Sequence, residues 1–461
     1  SGSLRKMVIM RTLLDMPVIG LFFRYAKIKH MLGRIKKELA MGEDELYAYQ
    51  LSRLKIIMDY AYDSVPFYKR IWNEAGVSPD DLKTLDDLVK FPVVSKDDLS
   101  NISLAGITGK DGSVSDGYLF KTSGSTGVPI RVAYHRNRGF YEIAVMSHYS
   151  LNQHLKTNLK MGMIISVLDD DAIDLLPTRE FPGAKRFVVD ALDSPDRHIE
   201  RINDMKPDYL GTYPSVLKNI AVRAKEKNLT LHQPKILITS GESQDAHTRK
   251  IIKDAFTGAL LDCYISTETG VMAAECLKHK GLHVLSYKSI VEITDDHYKA
   301  VPVGQTGNVV VTDLNNLAFP VIRYAGMGDI AGYKPEKCDC HLKNLPLLTR
   351  IEGRKVDSFV LPGNKVIHPF MLTLLMQDVP GVKKFQIRQE KTTEIKILIV
   401  KYPSPSSGEV AARHSPSNEK LKARFQSIVG KEVKVLFEYV ADIPRKNDSH
   451  KFQTVVSLVQ K

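Results

Sequence analysis

The chain has 461 residues, 26% charged and 43% hydrophobic, with a formal net charge of +12. This length exceeds what a single hydrophobic core normally supports, so we expect at least two domains. No stretch approaches eighteen uninterrupted apolar residues, and four cysteines are too few for a disulfide framework. The composition therefore excludes a membrane-spanning or disulfide-stapled protein. Without a signal-peptide pattern, we expect a cytoplasmic location.

The positive charge is concentrated only near the N-terminus, where residues 7–37 mix an apolar run with several arginines and lysines. One interpretation is a basic amphipathic helix at the periphery of a membrane. The other, which we favour, is a helix that packs on its own protein. Elsewhere the charge is scattered, and we find neither a basic stripe interleaved with aromatic residues nor a reader motif. We therefore expect no nucleic acid partner.

The first hundred residues are predicted to be mostly helical, with breaks at Pro66 and Pro92 and a helix start at Ser95. From about residue 118 to 330, strand-like apolar runs alternate with helical stretches. The predicted strands and helices include Met161–Leu168, Tyr209–Thr212, Ser215–Lys227, Lys235–Ser240, Ala246–Phe256 and Ala259–Tyr264. This alternation predicts an α/β architecture built on parallel strands, followed by β-rich segments at Leu282–Ile293 and Gly307–Thr312.

The pattern changes after residue 354. A hairpin is predicted over 358–367, then a helix and strands at 383–389 and 394–402, a loop over 401–416, a helix over 418–429 and a strand over 433–439. These elements are enough for a small α+β domain. We therefore predict a large N-terminal domain of residues 1–354, with mixed sheets and helices, and a small C-terminal domain of residues 355–461 on a hinge.

One loop combines glycines with hydroxyl side chains. Its residues are Thr122, Ser123, Gly124, Ser125, Thr126 and Gly127. Glycines let the backbone approach a ligand closely, and exposed N–H groups with small hydroxyl residues suit a phosphate. The Gly-Lys-Ser/Thr ending of a Walker A loop is absent. Taken alone, the segment is more often a flexible turn than a phosphate site.

Further motifs follow this loop in the chain. They are Tyr264–Glu268 (Tyr-Ile-Ser-Thr-Glu), Arg323–Asp329 (Arg-Tyr-Ala-Gly-Met-Gly-Asp), Gly353–Asp357 (Gly-Arg-Lys-Val-Asp) and Pro444–Phe452 (Pro-Arg-Lys-Asn-Asp-Ser-His-Lys-Phe). In this order the motifs resemble those of the adenylate-forming superfamily, which contains acyl-CoA synthetases, luciferases and peptide-synthetase adenylation domains. The similarity is strongest to the phenylacetate–CoA ligase branch, which includes CapK-type proteins and deazaflavin adenylyltransferases.

The resemblance implies an ATP site. The Thr122–Gly127 loop would contact the phosphates, Ser240, Gly241 and Glu242 would line the adenine pocket, and Tyr264 would stack on adenine. Ser266 lies in the same nucleotide-binding segment, and Thr267 would contact the α-phosphate. The resemblance also implies that Asp329 binds the ribose hydroxyls and that Arg354, at the hinge, contacts ribose or phosphate. A carboxylate is a good acceptor for paired hydroxyl donors.

The resemblance further implies the catalytic groups. Glu268 would hold Mg²⁺, a cation that prefers oxygen ligands, and Lys451 would neutralise the charge that develops when a carboxylate attacks the α-phosphate. This chain departs from the family pattern at Ile265, Val356 and His450, where the family usually has Gly, Asp and Gly. These departures leave a non-catalytic nucleotide-binding protein as a less favoured alternative.

The cysteines form a separate pattern. Cys276 and His283, with Cys338 and Cys340, supply three thiols and an imidazole, the ligand set of a closed tetrahedral zinc site. On spacing alone, ordinary buried cysteines are the default. Members of the resembled branch carry such a cluster at corresponding positions, which favours a structural Zn²⁺.

The resemblance thus predicts an ATP-dependent enzyme that converts a carboxylic acid to its acyl-adenylate and transfers the acyl group to an acceptor. Coenzyme A is the expected acceptor. The alternative acceptors are an amine, as in an acid–amine ligase, and the thiol of a carrier protein. A further alternative is an adenylyltransferase reaction in polysaccharide or natural-product synthesis.

Overall fold

In the computed structural model, the backbone is described for most of the chain. The described residues are 17–109, 117–121, 130–135, 138, 141–142, 144–145, 160–165, 185–191, 193–242, 244, 246–349, 351, 359–367, 372, 375–376, 379, 382–401, 418–443 and 455–459. By their contacts they divide into two compact units. The larger takes the described residues of Ser1–Phe120 and Val132–Glu352, and the smaller those of Lys121–Arg131 and Gly353–Lys461.

Helices dominate the first hundred residues, as predicted. The α-helices are α1 (Pro17–Ala40), α2 (Glu43–Ser64), α3 (Pro66–Glu74), α4 (Lys96–Ser100), α5 (Leu104–Ile107), α6 (Pro195–Met205), α7 (Pro214–Glu226), α8 (Ala246–Ala255) and α9 (Asn418–Val429). Short 3₁₀ turns cover Pro79–Asp81, Leu85–Lys90 and Pro362–Asn364. The predicted start at Ser95 is confirmed, because its Oγ accepts from the amide of Asp98 at 3.2 Å while the carboxylate of Asp98 accepts from the amide of Ser95.

The first thirteen strands belong mostly to the larger unit. They are β1 (Gly117–Lys121), β2 (Arg131–His135), β3 (Lys160–Ile165), β4 (Lys185–Asp190), β5 (Tyr209–Thr212), β6 (Ile236–Thr239), β7 (Ala259–Ser266), β8 (Gly270–Glu275), β9 (Leu282–Val284), β10 (Ser289–Thr294), β11 (Thr306–Asp313), β12 (Ile330–Gly332) and β13 (Leu347–Leu348). An eight-stranded sheet has the strand order β13-β9-β8-β7-β6-β5-β3-β4. A separate three-stranded sheet has the order β10-β11-β12.

The eight-stranded sheet changes direction at β7. Strands β3 to β7 run parallel, as the alternating pattern predicted, whereas β8, β9 and β13 pair antiparallel. All four residues of β5 are buried, which is typical of parallel strands covered by helices on both faces. The parallel part therefore resembles an open doubly wound sheet, with its carboxyl ends free to form a binding crevice.

Helix α1 is attached to the larger unit along its second half. Ile28, Leu32 and Ile35 are buried in the same hydrophobic cluster as Tyr141. The buried carboxylate of Glu38 accepts from the hydroxyls of Tyr49 and Tyr141, at 2.7 and 2.8 Å, and from the Nε of Arg34 at 2.7 Å. These contacts support packing of the helix on its own protein. Over the described residues, no helix combines the length and hydrophobicity needed to cross a bilayer.

The smaller unit is an α+β arrangement. Its strands are β14 (Phe359–Leu361), β15 (Lys365–Ile367), β16 (Val382–Lys391), β17 (Glu394–Lys401), β18 (Lys434–Tyr439) and β19 (Val455–Ser457). The predicted hairpin is β14–β15, and the sheet has the order β18-β17-β16-β19. Helix α9 buries Phe425 and Val429, and the Phe425 ring meets the Phe437 ring edge-on at 6.1 Å. The predicted α/β fold with a second, smaller unit is confirmed.

Candidate active site

Three parallel strands end at one edge of the eight-stranded sheet. Thr212 of β5 pairs with Thr239 of β6, and Thr239 pairs with Asp262 of β7, which continues to Ser266. The carboxyl ends of parallel strands are where open α/β sheets bind their ligands. The segments that follow β6 and β7 are the ones the sequence assigned to the nucleotide, so the fold brings them together.

The Ser240–Glu242 segment forms a tight turn after β6. Gly241 has φ +80°, in the left-handed region that favours glycine, and a Cβ there would lie 3.1 Å from the Tyr213 ring. The Glu242 carboxylate accepts from the amide and hydroxyl of Ser215, at 2.9 and 2.8 Å. The side chain of Glu242 thus ties the Ser240–Glu242 turn to the first turn of α7. The backbone of the Ser240–Glu242 turn is then the part available to a ligand.

Strands β7 and β8 form a hairpin whose turn holds Thr267 and Glu268. Ser266 pairs with Gly270, and the Oγ of Ser266 lies 2.9 Å from the Oγ1 of Thr269, so the two hydroxyls share a hydrogen bond. Gly270 has φ +69°, a conformation in which other residues are strained. The turn is therefore fixed at both of its ends by strand pairing.

Glu268 is buried in this turn, 6% exposed, and its Oε1 accepts from the hydroxyl of Tyr324 at 3.0 Å. Tyr324 is fully buried. Because the phenol is neutral, it orients the carboxylate without compensating its negative charge. A hard oxygen donor of this kind fits Mg²⁺, which commonly binds one or two carboxylates together with phosphate.

Tyr264 and Asp329 are in direct contact. The hydroxyl of Tyr264 donates to Oδ2 of Asp329 at 2.7 Å and lies 3.6 Å from the sulfur of Met327. Two motifs separated by about sixty residues therefore meet in one place, while the adenine and ribose roles of these residues stay predictions. Asp329 is half-buried.

Arg323, the first residue of the Arg323–Asp329 motif, makes contacts that hold the protein together. Its guanidinium is buried, pairs with Glu292 at 2.9 Å, and donates to the carbonyls of Phe91 and Val89 at 2.7 and 3.0 Å. Burial raises the pKa of Glu292, and the charge of Arg323 opposes that rise. These contacts fix the chain immediately before Tyr324, the partner of Glu268.

The predicted metal ligands converge on one point. The ligand atoms of Cys276, His283, Cys338 and Cys340 all lie within 4.8 Å of one another. The Sγ atoms of Cys276 and Cys338 are 3.8 Å apart, and Cys340 Sγ is 3.4 Å from His283 Nε2. Tetrahedral zinc with its usual bond lengths would place two sulfurs about 3.8 Å apart and a sulfur and nitrogen about 3.5 Å apart. The donor set therefore fits zinc in both chemistry and spacing.

Burial favours the neutral forms of Cys276, His283 and Cys340 when no cation is present. Desolvation raises the pKa of Cys340 to about 12 and that of Cys276 above its ordinary value. It also lowers the pKa of His283 to about 4, which favours the neutral imidazole that a metal requires. A bound divalent cation would reverse the preference of the thiols, because thiolates are stabilised by the opposite charge.

Several predicted site residues lie outside the described residues. These are the phosphate loop and the two C-terminal groups, namely Thr122, Ser123, Gly124, Ser125, Thr126, Gly127, Arg354 and Lys451. Their roles stay predictions.

Sequence reasoning missed residues that hold the site in place. Tyr324 stands inside a recognised motif, so its motif position was a usable signal, whereas Tyr134, Arg138 and Lys288 carry no local signal. Tyr134 donates to the carbonyl of Thr267, and Arg138 and Lys288 donate to that of Thr269.

The chain is similar to known proteins in its fold and in its sequence. A solved structure of 2-hydroxyisobutyryl-CoA ligase, in complex with 2-HIB-AMP and CoA, superposes with a TM-score of 0.63 at 23% identity, over 90% of each chain. The fold is thus that of adenylate-forming ligases. Residues 359–457 match the family model described as the CapK C-terminal domain.

Two curated relatives are phenylacetate–coenzyme A ligases. The chain is 25% identical to the one from Thermus thermophilus over 391 residues, which cover 80% of this chain and 84% of that relative. It is also 25% identical to the one from Escherichia coli over 434 residues, with 87% and 93% coverage. The resemblance to the adenylate-forming superfamily, and to its phenylacetate–CoA ligase-like and CapK-like branch, is confirmed.

Proposed function

We propose that this protein activates a carboxylic acid with ATP as its acyl-adenylate and transfers the acyl group to coenzyme A. The observation that carries the proposal is the pairing of Tyr264 with Asp329 and of Glu268 with Tyr324 at one edge of the sheet. These pairs combine residues from two motifs of the adenylate-forming pattern. The similarity to acid–CoA ligases over most of the chain supports the same reaction class.

In this proposal the nucleotide lies along the carboxyl edge of the sheet. The backbone of Ser240–Glu242 and the ring of Tyr264 contact adenine, and Asp329 accepts from the ribose hydroxyls. Thr267 contacts the α-phosphate from the turn after β7. The Thr122–Gly127 loop contacts the outer phosphates by resemblance alone. When bound, Mg²⁺ on Glu268 would supply positive charge to the phosphate oxygens.

The chemistry has two steps. A carboxylate oxygen of the acid attacks the α-phosphorus of ATP, and the bond to the β-phosphate oxygen breaks, so that pyrophosphate leaves. The thiol sulfur of coenzyme A then attacks the acyl carbon, loses its proton, and AMP leaves as the acyl–oxygen bond breaks. Lys451 is proposed to neutralise the charge between the two anions that meet in the first step.

The Cys276, His283, Cys338 and Cys340 cluster is proposed to hold a structural Zn²⁺. Its four protein ligands leave no position for substrate, which is the arrangement of structural and not catalytic zinc. The ion would link the segment after β8 with β9 and with the chain before β13.

We also propose the domain organisation expected from the sequence, with a large domain of residues 1–354, a small mobile domain of residues 355–461, and Arg354 to Asp357 as the hinge. In support of this boundary, the described residues from 132 to 351 belong to the larger unit and those from 359 onwards to the smaller one, although the described residues of Lys121–Arg131 also group with the smaller unit.

The first experiment is pyrophosphate exchange into ATP with a panel of acids that includes phenylacetate and 2-hydroxyisobutyrate. We expect at least one acid to stimulate exchange, and Lys451→Ala to nearly abolish it. Any acid that passes is then tested for consumption of coenzyme A. Exchange without coenzyme A consumption would favour an amine acceptor, and no exchange across the panel would favour the non-catalytic alternative.

A further inference from the structure

Four charged side chains are buried beneath the turn that carries Glu268. Arg138, Glu142, Lys288 and Asp313 are each at most 8% exposed. Lys288 Nζ lies 2.9 Å from Glu142, Arg138 pairs with Asp313, and Arg138 lies 3.4 Å from Glu142. Two positive and two negative charges balance within the group. Burial of charges at this depth is costly unless they are paired and hydrogen-bonded.

The two cationic side chains, Arg138 and Lys288, donate hydrogen bonds to the backbone of the turn itself. The carbonyl of Thr269 accepts from Arg138 at 2.5 Å and from Lys288 at 2.6 Å, and the carbonyl of Val271 accepts from Lys288 at 2.8 Å. Glu142 accepts from the amide of Val271 at 3.3 Å. The backbone on the β8 side of Glu268 is therefore bound on its donor and its acceptor groups.

The other side of Glu268 is held as well. The hydroxyl of Tyr134 donates to the carbonyl of Thr267 at 2.5 Å, and the guanidinium of Arg138 lies over the Tyr134 ring, 4.4 Å from its centre. Gly270 allows the close approach, since a Cβ there would lie 2.5 Å from Glu142. Strand pairing alone can hold a surface hairpin without buried charged side chains. The hydrogen bonds from Tyr134, Arg138 and Lys288 therefore add a restraint that acts on this turn.

We propose that Lys288 and Arg138 are positioning residues, which fix the backbone of Thr267–Val271 and thereby the carboxylate of Glu268. The inference rests on the proposed function only in the role that it gives to the carboxylate of Glu268, which is to hold Mg²⁺. Neither side chain is offered to the nucleotide, because both are buried and bonded to the protein. Their charge makes the hydrogen bonds to the carbonyls stronger than neutral donors would.

The test uses a charge-balanced double variant, Lys288→Met with Glu142→Gln. It removes one cation and one anion, so that Arg138 and Asp313 still compensate each other and the fold is preserved. The single variant Lys288→Met leaves an unpaired carboxylate and serves as the more severe case. Glu38→Gln is the control, since it removes a buried charge from the same unit but leaves in place the four side chains that bond to the backbone of Thr267–Val271.

The first readout is backbone amide hydrogen exchange in peptides that cover residues 264–275. We expect the double variant to exchange at least about tenfold faster there than the wild type, which corresponds to the loss of one charge-assisted hydrogen bond, and the Glu38→Gln control to remain unchanged there. Equal rates in wild type and double variant would overturn the proposal. So would an equal increase in the control.

The second readout is the Mg²⁺ concentration that half-saturates pyrophosphate exchange. We expect the double variant to need several-fold more Mg²⁺ while its KM for the acid stays the same. An unchanged Mg²⁺ requirement in an active enzyme would overturn the positioning role. A wild type that shows no pyrophosphate exchange would contradict the proposed function instead, and amide exchange would still decide whether these residues hold the turn.

Discussion

The hydroxyl of Tyr264 donates to Oδ2 of Asp329 across 2.7 Å, and this bond joins the end of β7 to the segment before β12. The ring of Tyr264 and the carboxylate of Asp329 are thus oriented by each other before any nucleotide binds. A ribose that donates to Asp329 meets an acceptor whose direction is already set.

Tyr264→Phe should weaken ATP binding by less than about tenfold, because the ring that would stack on adenine remains and one neutral donor is lost. Asp329→Ala should weaken it more, by about 10- to 100-fold, because hydrogen bonds to a charged acceptor are stronger. Calorimetric titration with ATP measures both. Tyr333→Phe is the matched control, since its hydroxyl donates to the carbonyl of Val291 and not to Asp329. Equal losses in the Tyr264 and Tyr333 variants would refute a role for the Tyr264–Asp329 pair.

Tyr324→Phe should reduce the rate of pyrophosphate exchange by about tenfold, because the carboxylate of Glu268 loses the donor that orients it. Glu268→Gln should cost about 100-fold or more, since the charge itself is removed. The melting temperature of Tyr324→Phe is measured alongside, and Tyr62→Phe, whose exposed hydroxyl bonds to Asn73, is the control. A Tyr324 variant with wild-type exchange at all Mg²⁺ concentrations would be inconsistent with this role.

Purified protein that has not met a chelator should contain about one equivalent of zinc, and Cys340→Ser should lose most of it. Cys263→Ala is the matched control. Cys263 is also buried, with its pKa raised by desolvation, yet it is not part of the cluster. Mass spectrometry of the metal content, with melting temperatures before and after chelation, checks the prediction. Less than about half an equivalent in the wild type would count against the zinc site.

Stability should fall as the pH decreases below about 6.5, in part through His198. Burial lowers the pKa of this imidazole, whose Nε2 lies 2.8 Å from the carbonyl of Asp190. A lowered folded-state pKa gives stability that is complete above the unfolded value and is lost as pH falls through the folded one. His198→Gln keeps a donor for that carbonyl and should flatten this part of the curve. Denaturant unfolding between pH 8 and 5 tests it, with the exposed His297→Gln as control; parallel curves for all three proteins would exclude the effect.

Much of the parallel sheet could be predicted because its strands are short, apolar and separated by amphipathic helices. The predicted Tyr209–Thr212 is β5, and the predicted Ala259–Tyr264 is the first part of β7. Strand β7 extends two residues further because Ser266 pairs with Gly270 across the hairpin. That pairing places Tyr264 within the strand. It depends on a neighbour that the periodicity of one segment does not reveal.

The site was predictable only where its residues stand in motifs. Tyr264, Glu268 and Asp329 could be assigned roles by resemblance, but the bonds of Tyr264 to Asp329 and of Tyr324 to Glu268 depend on the meeting of two distant segments. Lys288 lies in an apolar stretch and forms its ion pair with Glu142, which is far away in the sequence. Such ion pairs form through contacts between residues that are distant in the sequence. The pattern of residues within one segment therefore does not predict them. Strand β19, Val455–Ser457, was missed for a similar reason, since it is short and pairs parallel to β16.

The reversal of the sheet at β7 has a consequence for when the carboxylate becomes ordered. Because Glu268 stands in a hairpin turn, and not in a long loop between a strand and a helix, the conformational entropy of that segment is lost when the chain folds and not when ATP arrives. The full affinity of a preorganised carboxylate would then be available to the Mg²⁺ that we propose accompanies the nucleotide. Because little of this segment is left to order, the heat capacity change of ATP binding should be nearly the same in the wild type and in variants with substitutions on the surface far from the site.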